Sequence, residues 1–178
     1  MTEPQIIAAC KNGNPAAQKQ LYEQYKGKMM GVCLRYARNR AEAHDMFQEG
    51  FINIFKDLHQ YQPTGAFGGW MRRVMVNTAL KHIRREKRHL FTHIETSEIE
   101  DSYQSNEDVF SSFREKALLK MVQQLPDGYR MVFNLYVIEG YSHKEIAEQL
   151  EVSLSTSKTQ LRKAKMALQK MIEKEIHT

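Results

Sequence analysis

Apolar residues recur every three or four positions along most of this chain, and no segment alternates polar and apolar residues as a half-buried strand does. The clearest stretch contains Phe113, Ala117, Met121 and Leu125, which follow one another at a spacing of four. This spacing places the four side chains on one face of a helix. The sequence therefore predicts an all-α protein, and 178 residues suffice for one ordinary domain or two small ones.

Charged residues divide the chain into blocks of opposite sign. Residues 70–88 contain seven basic side chains against the single acid Glu86, whereas residues 89–113 contain no lysine or arginine and six acids. Residues 153–174 are basic again. The pattern predicts two small helical domains, residues 1–88 and 113–178, joined by a flexible acidic linker over residues 89–112. The net charge of +5 favours an anionic partner.

Residues 142–161 have the layout of a helix-turn-helix. Ser142 and Glu145 form a capping box, because each side chain can satisfy the free backbone amide of the other residue. Ala147 is the small residue at which two helices would cross closely, and Val152 would fill the turn. The alternative is a helical hairpin whose basic face is simply solvated.

The second helix of this motif predicts contacts in the DNA major groove. Ser, Thr and Gln can bond base edges there, while Lys and Arg contact phosphates or guanine. Two residues depart from the usual pattern, since Glu151 stands where glycine is common and Ser157 where an apolar residue is common. The predicted DNA-contacting residues are Ser155, Thr156, Lys158, Thr159, Gln160, Arg162 and Lys163.

The chain shows no signature of a catalytic or metal site. Gly65, Gly68 and Gly69 lack the following Lys-Ser/Thr of a phosphate-binding loop, and the cysteines, Cys10 and Cys33, lack metal-ligand spacing. We therefore expect no enzymatic activity, no metal, no cofactor and no small-molecule substrate. Free thiols fit a reducing cytosol, and no apolar run is long enough for membrane insertion, so the expected location is cytoplasmic.

Three groups of motifs follow one another in the order found in a known family. They are residues 47–51 (FQEGF) with Ile54 and Phe55; residues 70–74 (WMRRV) with Asn77 and residues 83–85; and Leu125-Pro126 with residues 139–142 (EGYS) and 145–147. Together they resemble the extracytoplasmic-function (ECF) group of RNA polymerase sigma factors in the sigma-70 family. The resemblance covers essentially the whole chain.

The resemblance implies a promoter-recognition subunit with two working domains. Residues 1–88 would form a region 2 domain that binds core polymerase and recognises and melts the −10 element. Residues 113–178 would form a region 4 domain that reads the −35 element. The implied partners are the clamp and flap regions of core RNA polymerase, promoter DNA and an anti-sigma factor.

The resemblance also implies site residues in the first domain. Asn77 and the loop around Gly65 to Gly69 would hold a flipped −10 base, and Tyr61, Phe67 and Trp70 are candidates for stacking. The implied −10 contacts are Phe67, Trp70, Arg72, Arg73, Asn77, Lys81, Arg84 and Arg85. The implied contacts with core polymerase are Phe47, Gln48, Glu49, Phe51, Ile54 and Asp57. Val76, Lys81 and Gln160 differ from the family's usual residues, which leaves the promoter sequence open.

Two other functions fit parts of the sequence. A stand-alone helix-turn-helix repressor or activator would need a dimerisation helix, but no heptad seam is found. A nucleic-acid-processing enzyme would need clustered carboxylates near a basic groove, but the acids concentrate in the predicted linker instead. The sigma-factor interpretation accounts for both basic blocks.

Overall fold

A computed structural model describes residues 1–86 and 113–178, and every regular element within these two ranges is helical. The all-α prediction is therefore confirmed. The chain divides into two compact units, one containing residues 1–82 and the other containing residues 113–178, here called the N-terminal and C-terminal units. The predicted linker, residues 89–112, lies outside the described residues. Among the described helices, none combines the length and apolar character needed to cross a membrane.

Four helices build the first part of the chain, and side-chain caps fix where two of them begin. The Asn14 side chain accepts hydrogen bonds from the amides of Ala16 and Ala17, directly before a proline at the first helical position. The Asn39 side chain accepts from the amide of Glu42 in the same way. The helices are α1 (Glu3–Lys11), α2 (Pro15–Tyr36), α3 (Arg40–Asp57) and α4 (Phe67–Glu86), with a 3₁₀ turn at Leu58–Gln60.

The core of the N-terminal unit forms where the apolar faces of these helices meet. Cys10 of α1 and Cys33 of α2 are both buried and free. Burial raises the pKa of the Cys33 thiol to about 12, so this thiol remains protonated. Other fully or nearly fully buried side chains of this core include Leu21, Tyr36, Met46, Ile54, Phe67, Met71 and Met75.

Helices α3 and α4 approach closely at Gly50. A Cβ atom at position 50 would overlap the Met75 sulfur and would lie 2.7 Å from its terminal methyl carbon. Met75 is itself fully buried, so its side chain has little room to move. The Met75 side chain thus occupies the space that a side chain at position 50 would need.

This pairing predicts strong coupling between substitutions at the two positions. Gly50→Val should destabilise the N-terminal unit by about 1–3 kcal/mol through overpacking. Met75→Ala should cost about 2–5 kcal/mol through the cavity it leaves. In the double variant the smaller alanine leaves room for the valine. The loss in free energy of unfolding should therefore be about 1–3 kcal/mol smaller than the sum of the two single losses. Denaturant unfolding of all four chains measures the coupling, and additive losses would contradict the packing.

The C-terminal unit contains α5 (Phe113–Gln124), α6 (Asp127–Phe133), α7 (His143–Leu150) and α8 (Leu154–Ile176). A π-helical turn, Asn134–Ile138, continues α6. Pro126 is the N-cap residue of α6, and Ser153 is the N-cap residue of α8. Met121, Leu125, Ala164 and Leu168 form the centre of the α5–α8 packing.

An arginine lies inside this unit. Arg130 of α6 is fully buried, and its guanidinium donates to the Leu125 carbonyl oxygen at 2.6 Å and to the Gln123 carbonyl oxygen at 3.4 Å. It also forms a buried ion pair with Asp127, one turn earlier. The carbonyl groups at the carboxyl end of a helix lack partners within that helix. The Arg130 guanidinium supplies donors to two such groups and thereby joins the end of α5 to the first turn of α6.

Candidate nucleic-acid interface

Helices α7 and α8 form the predicted helix-turn-helix. The capping box is present, since the Ser142 amide donates to the Glu145 carboxylate at 2.7 Å and the Glu145 amide donates to the Ser142 hydroxyl at 3.2 Å. The turn passes through Glu151, whose φ of 56° lies in the left-handed region that usually favours glycine. Ser153 then caps α8 by accepting from the Thr156 amide at 3.0 Å.

The outer face of α8 presents most of the residues predicted to contact DNA. Ser155, Lys158 and Arg162 are exposed at helical spacing. Thr156, Thr159 and Lys163 are half-buried, and the Thr156 hydroxyl oxygen also accepts from Ser153. These side chains combine hydroxyls that can bond base edges with cations that can contact phosphates.

Gln160 is a correction to the predicted set. Its side chain lies on the inner face of α8 with Ser157, Leu161 and Ala164 and is only 9 % exposed. Among the described residues, no hydrogen-bond partner reaches its side-chain oxygen. The helical period explains the placement, because position 160 falls on the same side as the core residues 157 and 164. In this arrangement the Gln160 side chain faces the core of the C-terminal unit.

A polar contact that the sequence analysis missed joins the two helices of the motif. His143 Nδ1 lies 2.8 Å from the Ser157 hydroxyl, and the His143 ring stacks on Tyr136 with centroids 4.5 Å apart. Burial lowers the pKa of His143, and the nearby charges of Lys158 and Lys165 lower it further. The neutral ring can accept a hydrogen bond from the Ser157 hydroxyl at Nδ1. The unusual serine was the available signal, since a buried hydroxyl requires a partner.

Helix α4 carries a second polar face. Arg73, Asn77, Lys81 and Arg85 are exposed and follow one another at intervals of four, so they form one stripe along the helix. Arg72 and Arg84 are half-buried at its sides. This stripe (Arg73, Asn77, Lys81 and Arg85, here called the α4 stripe) has the charge and spacing to follow a phosphate backbone.

The opposite face of α4 is held against α3. The Asn53 side chain donates to the Thr78 hydroxyl at 3.0 Å, and the Thr78 hydroxyl donates to the Val74 carbonyl oxygen at 2.9 Å. His82 lies buried with its Nδ1 3.6 Å from the Glu49 carboxylate. These contacts fix the rotation of α4 and therefore the direction in which the stripe points.

The aromatic residues at the start of α4 form a packed cluster. Phe67 and Trp70 stack with centroids 5.6 Å apart, and Tyr61 packs against both rings at 4.9 and 5.5 Å. Phe67 is only 1 % exposed, so its predicted stacking on a DNA base is corrected to a core role. Trp70 remains partly exposed. Gly68 and Gly69 lie in the first turn of α4, so the exposed loop comprises residues 62–66.

Helix α3 requires a similar correction for core-polymerase contacts. Phe47, Phe51 and Ile54 are buried, and Tyr22 of α2 packs on the first two rings at 5.9 and 4.9 Å. Of the remaining predicted residues, Gln48 is exposed, while Glu49 and Asp57 are half-buried.

The outer face of α3 holds a residue that the prediction omitted. Ile52 lies in the middle of the helix and is 66 % exposed. The alternation of buried positions 47, 51 and 54 with exposed positions 48 and 52 could have identified it. Within the described ranges, no group of three or more His, Cys, Asp or Glu side chains could hold a metal ion.

Comparisons with known protein families match both units. The family model described as Sigma-70 region 2 matches residues 21–89, and the one described as Sigma-70, region 4 matches residues 115–168. The RNA polymerase sigma-H factor of Pseudomonas aeruginosa is 25 % identical, over 96 % of this chain and 94 % of that protein. The ECF RNA polymerase sigma factor SigW of Bacillus subtilis is 27 % identical, over 93 % of this chain and 94 % of that protein.

Solved structures resemble the fold. The sigma factor RpoE of Bartonella quintana, solved in complex with the anti-sigma factor NepR, aligns with a TM-score of 0.54 over 87 % of this chain and 96 % of that one. CnrH, solved in complex with the cytosolic domain of CnrY, aligns with a TM-score of 0.50 over 94 % of this chain and 95 % of that one. Because the sequence identities are only 16 % with RpoE and 19 % with CnrH, these similarities concern the fold alone.

Proposed function

Because this chain belongs to the extracytoplasmic-function group of the sigma-70 family, we propose that its two units divide the reading of a promoter between them. The chain is an RNA polymerase sigma factor. In the proposal, the α4 stripe and the 62–66 loop engage the −10 element, and the outer face of α8 engages the −35 element. The outer face of α3 docks on core polymerase.

One observation carries the proposal: each unit presents its own polar, basic helix face, and each face lies within a region matched by a sigma-70 family model. The α4 stripe lies within residues 21–89, and the DNA-facing residues of α8 lie within residues 115–168. Two such faces favour a bipartite promoter site. A stand-alone repressor would need only the second face.

The proposal extends to partners and location. An anti-sigma factor would compete with core polymerase for the outer face of α3, and the structural neighbour RpoE, solved with the anti-sigma factor NepR, supports a partner of this kind. We further propose that the chain works in the cytoplasm, where the polymerase is, and that it has no catalytic activity of its own.

The direct test is co-elution of the purified chain with bacterial core RNA polymerase, followed by initiation on a mixed promoter library. A stable complex that starts transcription at defined sites supports the proposal and gives the promoter sequence. Failure to bind core polymerase, together with tight binding of the free chain to duplex DNA, would instead favour a stand-alone repressor or activator.

Ile52 provides a sharper prediction for the α3 surface. Ile52→Glu should weaken binding to core polymerase about tenfold or more, because a charge would replace an apolar contact at the centre of the docking face. Ile176→Glu is the matched control, since Ile176 is 74 % exposed near the end of α8. Fluorescence titration of both variants with core polymerase measures the effect. Equal affinity of the two variants would remove Ile52 from the interface.

A further inference from the structure

The exposed 62–66 loop is attached to the N-terminal unit mainly through Tyr61. The Tyr61 ring is buried against Phe67 and Trp70, and its hydroxyl donates to the Gly65 carbonyl oxygen at 2.9 Å. Tyr61 therefore fixes the beginning of the loop through its backbone and the far side of the loop through its hydroxyl. A short turn, in which the Thr64 amide donates to the Gln62 carbonyl oxygen at 2.8 Å, lies between these two attachments.

Tyr61 is in turn held by α1. The Lys11 ammonium donates to the Tyr61 carbonyl oxygen at 3.0 Å and lies 5.8 Å from the centre of the Tyr61 ring. The second distance is within the range of a cation–π interaction. One lysine thus contacts both the backbone and the ring of the residue that anchors the loop.

The position of Lys11 is itself well defined. It is the last residue of α1, where a positive charge is favourable, and Ile6, Ile7 and Cys10 anchor the helix in the core. At the other end of α1, Glu3 accepts a hydrogen bond from the Tyr25 hydroxyl, and the Tyr25 ring packs on Phe67. Both ends of α1 therefore reach the aromatic cluster from which the loop emerges.

We infer that Lys11 is a positioning residue for capture of a −10 base, acting through Tyr61 on the 62–66 loop. The inference rests on the proposed function of that loop. It adds α1, which lies before the 21–89 region of the family match, to the parts of the chain that determine promoter preference. A loop held in one shape excludes the bases that do not fit it, whereas a mobile loop can adjust to several bases, so the difference in binding free energy between the best and the worst base becomes smaller.

The test uses full-length chain bound to core polymerase, with initiation measured on promoters randomised separately at the −10 and −35 elements. Lys11→Met removes the ammonium and keeps the apolar stem, and Tyr61→Phe removes only the bond to Gly65. Each should lower discrimination between the best and worst −10 base about three- to tenfold and leave −35 discrimination unchanged. Lys11→Arg should restore most of the preference, because arginine keeps both contacts.

Lys19→Met is the matched control, since Lys19 is an exposed lysine of α2 outside this network. Unchanged −10 discrimination in Lys11→Met, or an equal loss at both elements, would overturn the inference. These outcomes are distinct from failure of the proposed function, in which the unsubstituted complex itself would show no base preference at the −10 element.

Discussion

Replacing Arg130 by methionine is expected to remove about 3–5 kcal/mol from the free energy of unfolding of the C-terminal unit. The substitution removes the cation that pairs with the Asp127 carboxylate, and both side chains of this ion pair are almost completely shielded from solvent. It also removes the donors to the Leu125 and Gln123 carbonyl oxygens at the junction of α5 and α6. Unsatisfied buried acceptors add to the cost.

The loss should be confined to one unit. Amide hydrogen exchange should show reduced protection in α6, α7 and α8, while protection in α2 and α3 remains unchanged. Arg114→Met is the matched control, because Arg114 lies on the exposed side of α5. In initiation assays, Arg130→Met should abolish dependence on the −35 element at temperatures where the unit is unfolded. Wild-type protection in α6 would show that the buried arginine is not structurally required.

The burial of Arg130 could not be predicted from the sequence. Periodicity predicted the all-α fold, and local chemistry predicted the capping box at Ser142, because caps depend only on neighbouring residues. Burial of Arg130 depends instead on carbonyl groups that the fold brings together. Arginine side chains are mostly exposed in proteins, so the contacts of Arg130 with these carbonyl groups were not predicted.

The errors at Phe67 and Gln160 have a related cause. Both residue types are suited to DNA contacts, and the resemblance placed them in DNA-binding segments. The structure turns both inward, because helix phase decides which side of α4 or α8 faces the core. The resemblance implied a loop around Gly65 to Gly69, but α4 starts at Phe67 and includes Gly68 and Gly69. Helix phase and helix start together account for these corrections.

The His143–Ser157 contact is a third case. Ser157 was recognised as a departure from the usual apolar residue, but its partner could not be chosen from sequence, because 14 positions separate the two side chains. In the structure the His143 ring satisfies the buried Ser157 hydroxyl by a hydrogen bond, so a polar residue is tolerated at this position. The helix-turn-helix geometry is kept with a polar contact at that position.

The α4 stripe carries the second large expected effect. Arg73→Ala, Lys81→Ala and Arg85→Ala together remove three exposed cations from one face of the helix. If each contacts one phosphate, the slope of log affinity against log salt should become shallower by about 3, since each contact contributes about 0.9. Promoter binding by the sigma–core complex should fall on the order of 100-fold at near-physiological salt.

The control for this variant removes the same charge elsewhere. Lys19→Ala, Lys170→Ala and Lys174→Ala eliminate three exposed lysines that lie off the stripe. If long-range attraction to DNA alone mattered, both triple variants would lose affinity equally, and the salt slopes would change together. Filter binding over a series of salt concentrations measures the slope for each variant. If the slope changes only in the α4 variant, the phosphate contacts belong to this helix. Because Asn77 is retained in both variants, the −10 base preference should survive even as affinity falls, which separates positioning on the backbone from recognition of the bases.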